Sequence, residues 1–241
     1  MAVLKKFKSV GVIGRGKWGQ KFIKILKSYS SVKYVIGKNT DYKKCSPNVD
    51  WVFILTPNKT HYRICEFFLK KGVNVFCEKP LSPNLRQASN LYKLAKKNKV
   101  LLYVDDIEIF KNKKIKLYKN NYIRREKKDK GTTYSLIERL FYHDAYLICD
   151  QVKKTKFKIK ILSQKNLNFK ITFNKKIVNF FYSIKSPNKL HKINHINLLF
   201  FKGNPLKKMI VYVLYKLKSY SKNKERSLFA IKICRLLKKK Y

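Results

Sequence analysis

Ser9-Val10-Gly11-Val12-Ile13-Gly14-Arg15-Gly16-Lys17-Trp18-Gly19 decides how the first half of the chain folds. The opening five residues are short and apolar without alternation, which predicts a parallel strand buried on both faces. The run then breaks into Gly-x-Gly-x-x-Gly, after which Phe22, Ile23, Ile25 and Leu26 recur at helical spacing up to Tyr29. Strand, glycine turn and helix in that order give each glycine its own duty. Gly14 permits the turn, Gly16 lets backbone approach a pyrophosphate, and Gly19 lets the helix pack on the sheet. The helix start adds unpaired N–H groups and a positive dipole end. Gly14, Arg15, Gly16, Lys17, Trp18 and Gly19 are therefore candidate dinucleotide-binding residues.

The same alternation continues outward from this run. Val32–Ile36, Trp51–Leu55, Val73–Cys77 and Val100–Val104 read as further buried strands. A helix is expected from Thr60 until Gly72 stops it, and another from a Ser82-Pro83 start to about Asn98. Repeated β-α-β units with right-handed crossovers make a doubly wound parallel sheet, the Rossmann arrangement. Between Ile36 and Trp51 the crossover is cut to a short loop. After Asp105 the texture changes. Lys111–Lys130 is polar and lysine-rich with no clean period, and Leu136–Cys149 is helical. Four strands are expected at Phe157–Leu162, Asn168–Phe173, Ile177–Ile184 and Leu190–Phe201, with helices at Pro205–Lys218 and Lys224–Lys239. The fold class is thus α/β: an N-terminal Rossmann domain over 1–105, and a smaller α+β domain over 106–241 with a mostly antiparallel sheet and closing helices.

The 241 residues suffice for a real core, but 58 Lys and Arg against 13 Asp and Glu leave a net charge of +45. Such a field attracts nucleic acid or anionic membrane. The lysines are scattered over every segment alongside abundant Asn, Ile, Phe and Tyr, which fits a coding bias toward A and T. Scarce Glu fits that bias less well, so polyanion contact stays open as the weaker reading. Cys45, Cys65, Cys77, Cys149 and Cys234 show no C-x-x-C spacing and lie mostly in apolar runs. No disulfide framework and no metal site are expected, and a cytoplasmic location follows. Met1–Val10 lacks the apolar centre of a signal peptide, and Met209–Leu214 is too short to span a bilayer.

Two more blocks carry chemistry. Thr56-Pro57-Asn58-Lys59-Thr60-His61 follows the third strand, and Glu78-Lys79-Pro80-Leu81-Ser82 the fourth, so both fall on the ligand edge of the sheet. Where the second strand ends, an acid usually binds the ribose hydroxyls of NAD; here stands Lys38, whose charge favours the 2′-phosphate of NADP.

Taken together, the glycine run, the T-P-N-x-x-H block and the E-K-P block resemble the Gfo/Idh/MocA family of NAD(P)-dependent oxidoreductases (glucose–fructose oxidoreductase, inositol dehydrogenase and relatives). Tyr142-His143-Asp144 is similar to that family's histidine-bearing segment, and Gly203-Asn204-Pro205-Leu206 with two helices to its tail. The resemblance implies a sugar, cyclitol or nucleotide-linked sugar as substrate. It adds Thr56, Pro57, Asn58, His61, Glu78 and Lys79 to Lys38 and the glycine run as cofactor contacts. It implies that Lys79 orients the substrate hydroxyl and that His143 takes its proton, with imidazole titrating near neutrality. Relatives often associate through the exposed face of the second-domain sheet, which implies a homo-oligomer.

The chain also departs from the family. An Asp is common one helical turn before the histidine, where this chain has Arg139. Glu138 beside it is turned by about 100°. Asp144, Asp105 or Asp106 are the remaining acids for that duty. His191 and His195 read as structural. The departures leave a second reading, a non-catalytic cofactor-binding or regulatory member.

Overall fold

In the computed structural model, residues 8–38, 40–111, 115–128, 136–163 and 166–240 are described. Most of the Met1–Val10 segment, and residues 112–114 and 129–130 of the lysine-rich stretch, lie outside them. The chain divides into two compact units, one running up to Asp105 and taking in Leu206–Lys224, the other holding Asp106–Pro205 and the chain from Glu225. The sequence boundaries put all of 106–241 in one domain; by contacts, residues 206–224 cluster instead with the N-terminal residues.

The first unit is a five-stranded parallel sheet in the order β2-β1-β3-β4-β5. The elements are β1 (Ser9–Ile13), α1 (Lys17–Tyr29), β2 (Ser31–Ile36), β3 (Trp51–Ile54), α2 (Asn58–Lys70), β4 (Asn74–Cys77), α3 (Leu85–Lys97) and β5 (Leu102–Val104). Every residue of β3 is buried, as its unbroken apolar run requires. α1 turns Gly19, Phe22, Ile23 and Leu26 inward, and the Phe22 ring meets Phe53 and Phe76 at 6.4 and 5.3 Å. In β1, Gly11 is there for its neighbour: a Cβ would come within 2.1 Å of the Tyr34 ring. Among the described residues between β2 and β3 the one element is a short helical turn, Tyr42–Lys44.

Two expected boundaries shift. α3 starts at Leu85 because Asn84, not Ser82, accepts from the Arg86 and Gln87 amides. Ser82 instead accepts from the Asn84 amide and donates to Gln87 Oε1. α2 begins at Asn58, two residues before Thr60. The returning segment finishes the far edge of this unit. Asn223 accepts from the Val104 N–H and donates to its C=O, both at 2.8 Å, as a neighbouring strand does.

The second unit is built on a six-stranded sheet, β11-β10-β6-β9-β8-β7, antiparallel except where β6 runs parallel to β9. Its strands are β6 (Asn120–Lys128), β7 (Phe157–Ser163), β8 (Leu167–Phe173), β9 (Lys176–Ser183), β10 (Lys185–Ile193) and β11 (Ile196–Asn197). A π-helical turn, Ile137–Phe141, leads into α4 (Tyr142–Val152). Phe141 packs edge-on against Phe169 and Phe180 at 5.1 and 5.4 Å.

β6 corrects the reading of the lysine-rich stretch. Its buried inward positions include Asn121, which bonds the Tyr118 and Ile177 carbonyls, and its flank holds Arg125 on carboxylates. Polar side chains hold those places, so the strand lacks the apolar alternation that reveals a half-buried strand. The last expected strand, Leu190–Phe201, splits at Asn194 (φ 52°), and Phe200 is 73% exposed. α5 (Pro205–Tyr215) and α6 (Ser221–Lys238) close the chain. Among the described residues no helix is long and apolar enough to cross a membrane.

Candidate functional site

In a doubly wound sheet the strand order reverses between β1 and β3, which opens a crevice outside their carboxyl ends. A groove of about 1510 Å³ lies there. Gly14, Arg15, Gly16, Lys38, Thr56 and Pro57, six of the expected cofactor contacts, line it. Gly37, Tyr42, Lys59, Thr60 and Arg63 join them without having been singled out.

The three glycines differ in what they tolerate. Gly14 has φ +107°, and a Cβ there would meet the Leu55 carbonyl oxygen at 2.5 Å. At Gly19 a Cβ would lie 2.3 Å from the Gly14 oxygen. Gly16 has no atom within 4 Å of that position, so it opens onto the groove as backbone. It is also the N-cap of α1, whose first turn carries no acid. This cradle, which a Cβ would fill, suits a pyrophosphate resting on helix N–H groups. Arg15, Lys38, Lys59 and Arg63 are the charged residues among the lining side chains, and none of the lining residues is an acid.

The other expected contacts sit beside the groove rather than along it. Lys17 is exposed, Trp18 packs on Phe22 at 5.7 Å, and Asn58 is exposed at the start of α2. His61 is fully buried, its Nδ1 2.8 Å from the Pro80 carbonyl and its Nε2 2.8 Å from the Thr56 carbonyl. Two backbone oxygens occupy both ring nitrogens, so His61 ties the loop after β3 to the loop after β4. Burial lowers its pKa against the pull of those carbonyls, and the Lys79 charge adds to the lowering.

Glu78 and Lys79 follow β4, half-buried, with the Glu78 amide on the Ile54 carbonyl at 2.9 Å. Burial and the neighbouring Asp105 carboxylate push the Glu78 carboxyl up to about 8, although the Lys79 charge opposes them.

In the second unit, His143 is half-buried on α4. Asp144 beside it points the other way and is wholly buried. It accepts from Tyr182 Oη at 2.8 Å and faces His191 Nε2 at 2.7 Å, with Arg125 3.8 Å away. Arg125 also reaches Glu108, which Lys111 holds at 2.6 Å. Burial alone raises the Asp144 carboxyl; His191, Arg125 and Tyr182 outweigh it and bring it below the ordinary range. Asp144 is thus an interior anchor for α4. Glu138, one position from Arg139, pairs with Lys238. The sequence reading missed Glu108, Arg125 and Tyr182. For Glu108 the signal was the scarcity of acids, since it stands among Ile107, Ile109 and Phe110 in a chain with 13 carboxylates; Arg125 and Tyr182 carried none.

Residues 27–106 match the family model described as "Oxidoreductase family, NAD-binding Rossmann fold". The five-stranded parallel sheet of the first unit, with its groove at the carboxyl ends of β1 and β3, is a Rossmann fold. Over residues 27–106 the chain is similar to the Gfo/Idh/MocA family. An uncharacterized oxidoreductase, YgjR, of Escherichia coli is 38% identical over 58 residues, covering 24% of this chain and 18% of that protein. The D-xylose 1-dehydrogenase (NADP(+)) of Hypocrea jecorina is 39% identical over 56 residues, covering 23% of this chain and 14% of the enzyme. The matched segments thus span less than a fifth of these curated relatives. The fold of UDP-N-acetylglucosamine 3-dehydrogenase GnnA from Acidithiobacillus ferrooxidans superposes with a TM-score of 0.81 over 96% of both chains, at 15% identity.

Proposed function

We propose that the chain is an NAD(P)-dependent dehydrogenase or reductase of the cytoplasm. Its substrate is an alcohol or carbonyl on a sugar, a cyclitol or a nucleotide-linked sugar, and its preferred cofactor is NADP. The carrying observation is the groove at the carboxyl ends of β1 and β3, free of acids among the described residues that line it, with Lys38 where a ribose-binding acid would stand. When bound, the nicotinamide cofactor supplies the hydride acceptor or donor. Gly14 and Gly16 admit its pyrophosphate to the start of α1, while Lys38 and Arg15 neutralise a 2′-phosphate. Lys79 orients the reacting hydroxyl and stabilises developing alkoxide charge. His143 accepts the proton. Asp144 acts through the helix it anchors rather than by carrying a proton.

Fluorescence titration with NADPH and NADH tests the reading. NADPH should bind more tightly, and Lys38→Ala should erase that preference while sparing NADH. No binding of either at high micromolar concentration removes the proposal. Lys79→Ala should abolish turnover. Arg139, in place of an acid, supports the second reading of a cofactor-binding protein without turnover. Sugar-dependent NADPH formation that Lys79→Ala abolishes would eliminate it.

A further inference from the structure

The loops that follow β1 and β2 are bound to each other. Ile13 and Ile36 are register partners, and the Gly14 amide donates to the Ile36 carbonyl at 2.9 Å. One residue further on, the Arg15 side chain crosses from the first loop onto the second. A Cβ on Gly37 would stand 2.7 Å from Arg15 Nε and 3.4 Å from both its Cδ and its Cγ. The backbone asks for no glycine here, because the φ of Gly37 lies outside the left-handed region. What the glycine leaves is room, and the Arg15 stem fills it.

This posture takes the guanidinium away from the pyrophosphate cradle. No atom lies within 4 Å of the Cβ position on Gly16, so Arg15 does not lean over the start of α1. It lies instead against the residue before Lys38, at the end of β2, where a dinucleotide presents its adenosine ribose. Asp41, the acid nearest to Lys38 along the chain, is engaged elsewhere: its carboxylate accepts from the Lys43 amide at 3.0 Å and caps the helical turn. Two cations thus converge on the strand end, with no carboxylate among the described residues that line the groove. Free ribose hydroxyls call for an acceptor there, whereas a guanidinium fork beside an ammonium suits a phosphate monoester.

We propose that Gly37 sets the choice of cofactor: its lack of a side chain lets Arg15 join Lys38 in a site for the 2′-phosphate of NADP. This role rests on the groove being a nicotinamide-dinucleotide site, as proposed above. A methyl group on residue 37 lifts the guanidinium off the strand end. A carboxylate there pairs with Arg15 and repels the phosphate.

The test is fluorescence titration with NADPH and NADH, with adenosine 2′,5′-bisphosphate as a competitor that lacks the nicotinamide. Gly37→Ala should lower the ratio of NADPH to NADH affinity at least about fivefold, and Gly37→Asp should invert it. Arg15→Ala, at an exposed side chain, should lower the ratio about tenfold. In the Arg15→Ala background Gly37→Ala should change it less than about twofold, because the glycine acts only through the arginine. The bisphosphate should weaken in step with NADPH in each variant.

A wild-type chain that binds neither dinucleotide ends the reading of the groove, and the role of Gly37 with it. Wild-type binding with a ratio that Gly37→Ala leaves unchanged overturns the role of Gly37 alone. That holds even where both affinities fall, since Arg15 would then serve the adenine or the pyrophosphate. A Gly37→Ala effect that persists in full without Arg15 also overturns it, because residue 37 would then obstruct the ligand directly.

Discussion

Gly14 and Gly16 are two residues apart and answer to different constraints. Gly14 needs a left-handed backbone and close passage past Leu55, both properties of the folded chain alone. Gly16 has an ordinary φ of −66° and open space before it. Gly14→Ala should therefore destabilise by roughly 2–4 kcal/mol in chemical denaturation. Gly16→Ala should hold stability to within about 0.5 kcal/mol yet lower cofactor affinity at least about tenfold. A Gly16→Ala protein that binds NADPH normally would refute the groove as the pyrophosphate site. At this scale the sequence was informative where a residue's duty is local, since glycine spacing states its own geometry. It was uninformative for His61 and Asp144, whose duties depend on partners 19 and 47 positions away.

At the level of elements, the parallel strands were legible because full burial writes itself as unbroken apolar runs. β6 was not, because its buried flank is filled by amide and guanidinium groups whose partners lie on other strands and loops. The loop after β4 gives a prediction of its own. Glu78 is held near 8 in the fold against an ordinary value of 4.5. As pH rises from 4.5 the unfolded chain loses this proton before the native one does, so native stability falls until about pH 8. Glu78→Gln removes that slope and should stabilise the protein by roughly 2–4 kcal/mol at pH 8. His61 works in the opposite sense: its lowered pKa costs stability as pH falls below its ordinary value of 6.5. Urea denaturation between pH 6.5 and 8 isolates the Glu78 contribution. A Glu78→Gln midpoint equal to that of the wild type throughout that window would mean the carboxyl is ionised in the fold.

Over the whole molecule the +45 charge acts on stability as well as on partners. Self-repulsion of this size destabilises a compact state and is screened over about 10 Å at 0.1 M salt. Raising sodium chloride from 20 to 300 mM should lift the melting temperature by several degrees in calorimetry, and polyvalent anions should lift it further. A flat response would show that the cations are dispersed enough not to matter. Composition announced the charge but not its arrangement, which depends on how the strands pair.

Asn223 has a consequence in time. It supplies the strand-like partner for Val104, yet it is made more than a hundred residues later. At ordinary elongation speeds that gap lasts on the order of 10 s. Throughout it, the emerged β5 offers a bare edge to any passing chain. Synthesis of this protein therefore includes an interval in which a nearly finished parallel sheet is sticky along one side. Chaperone occupancy during translation should peak in that interval and subside once Asn223 has left the ribosome.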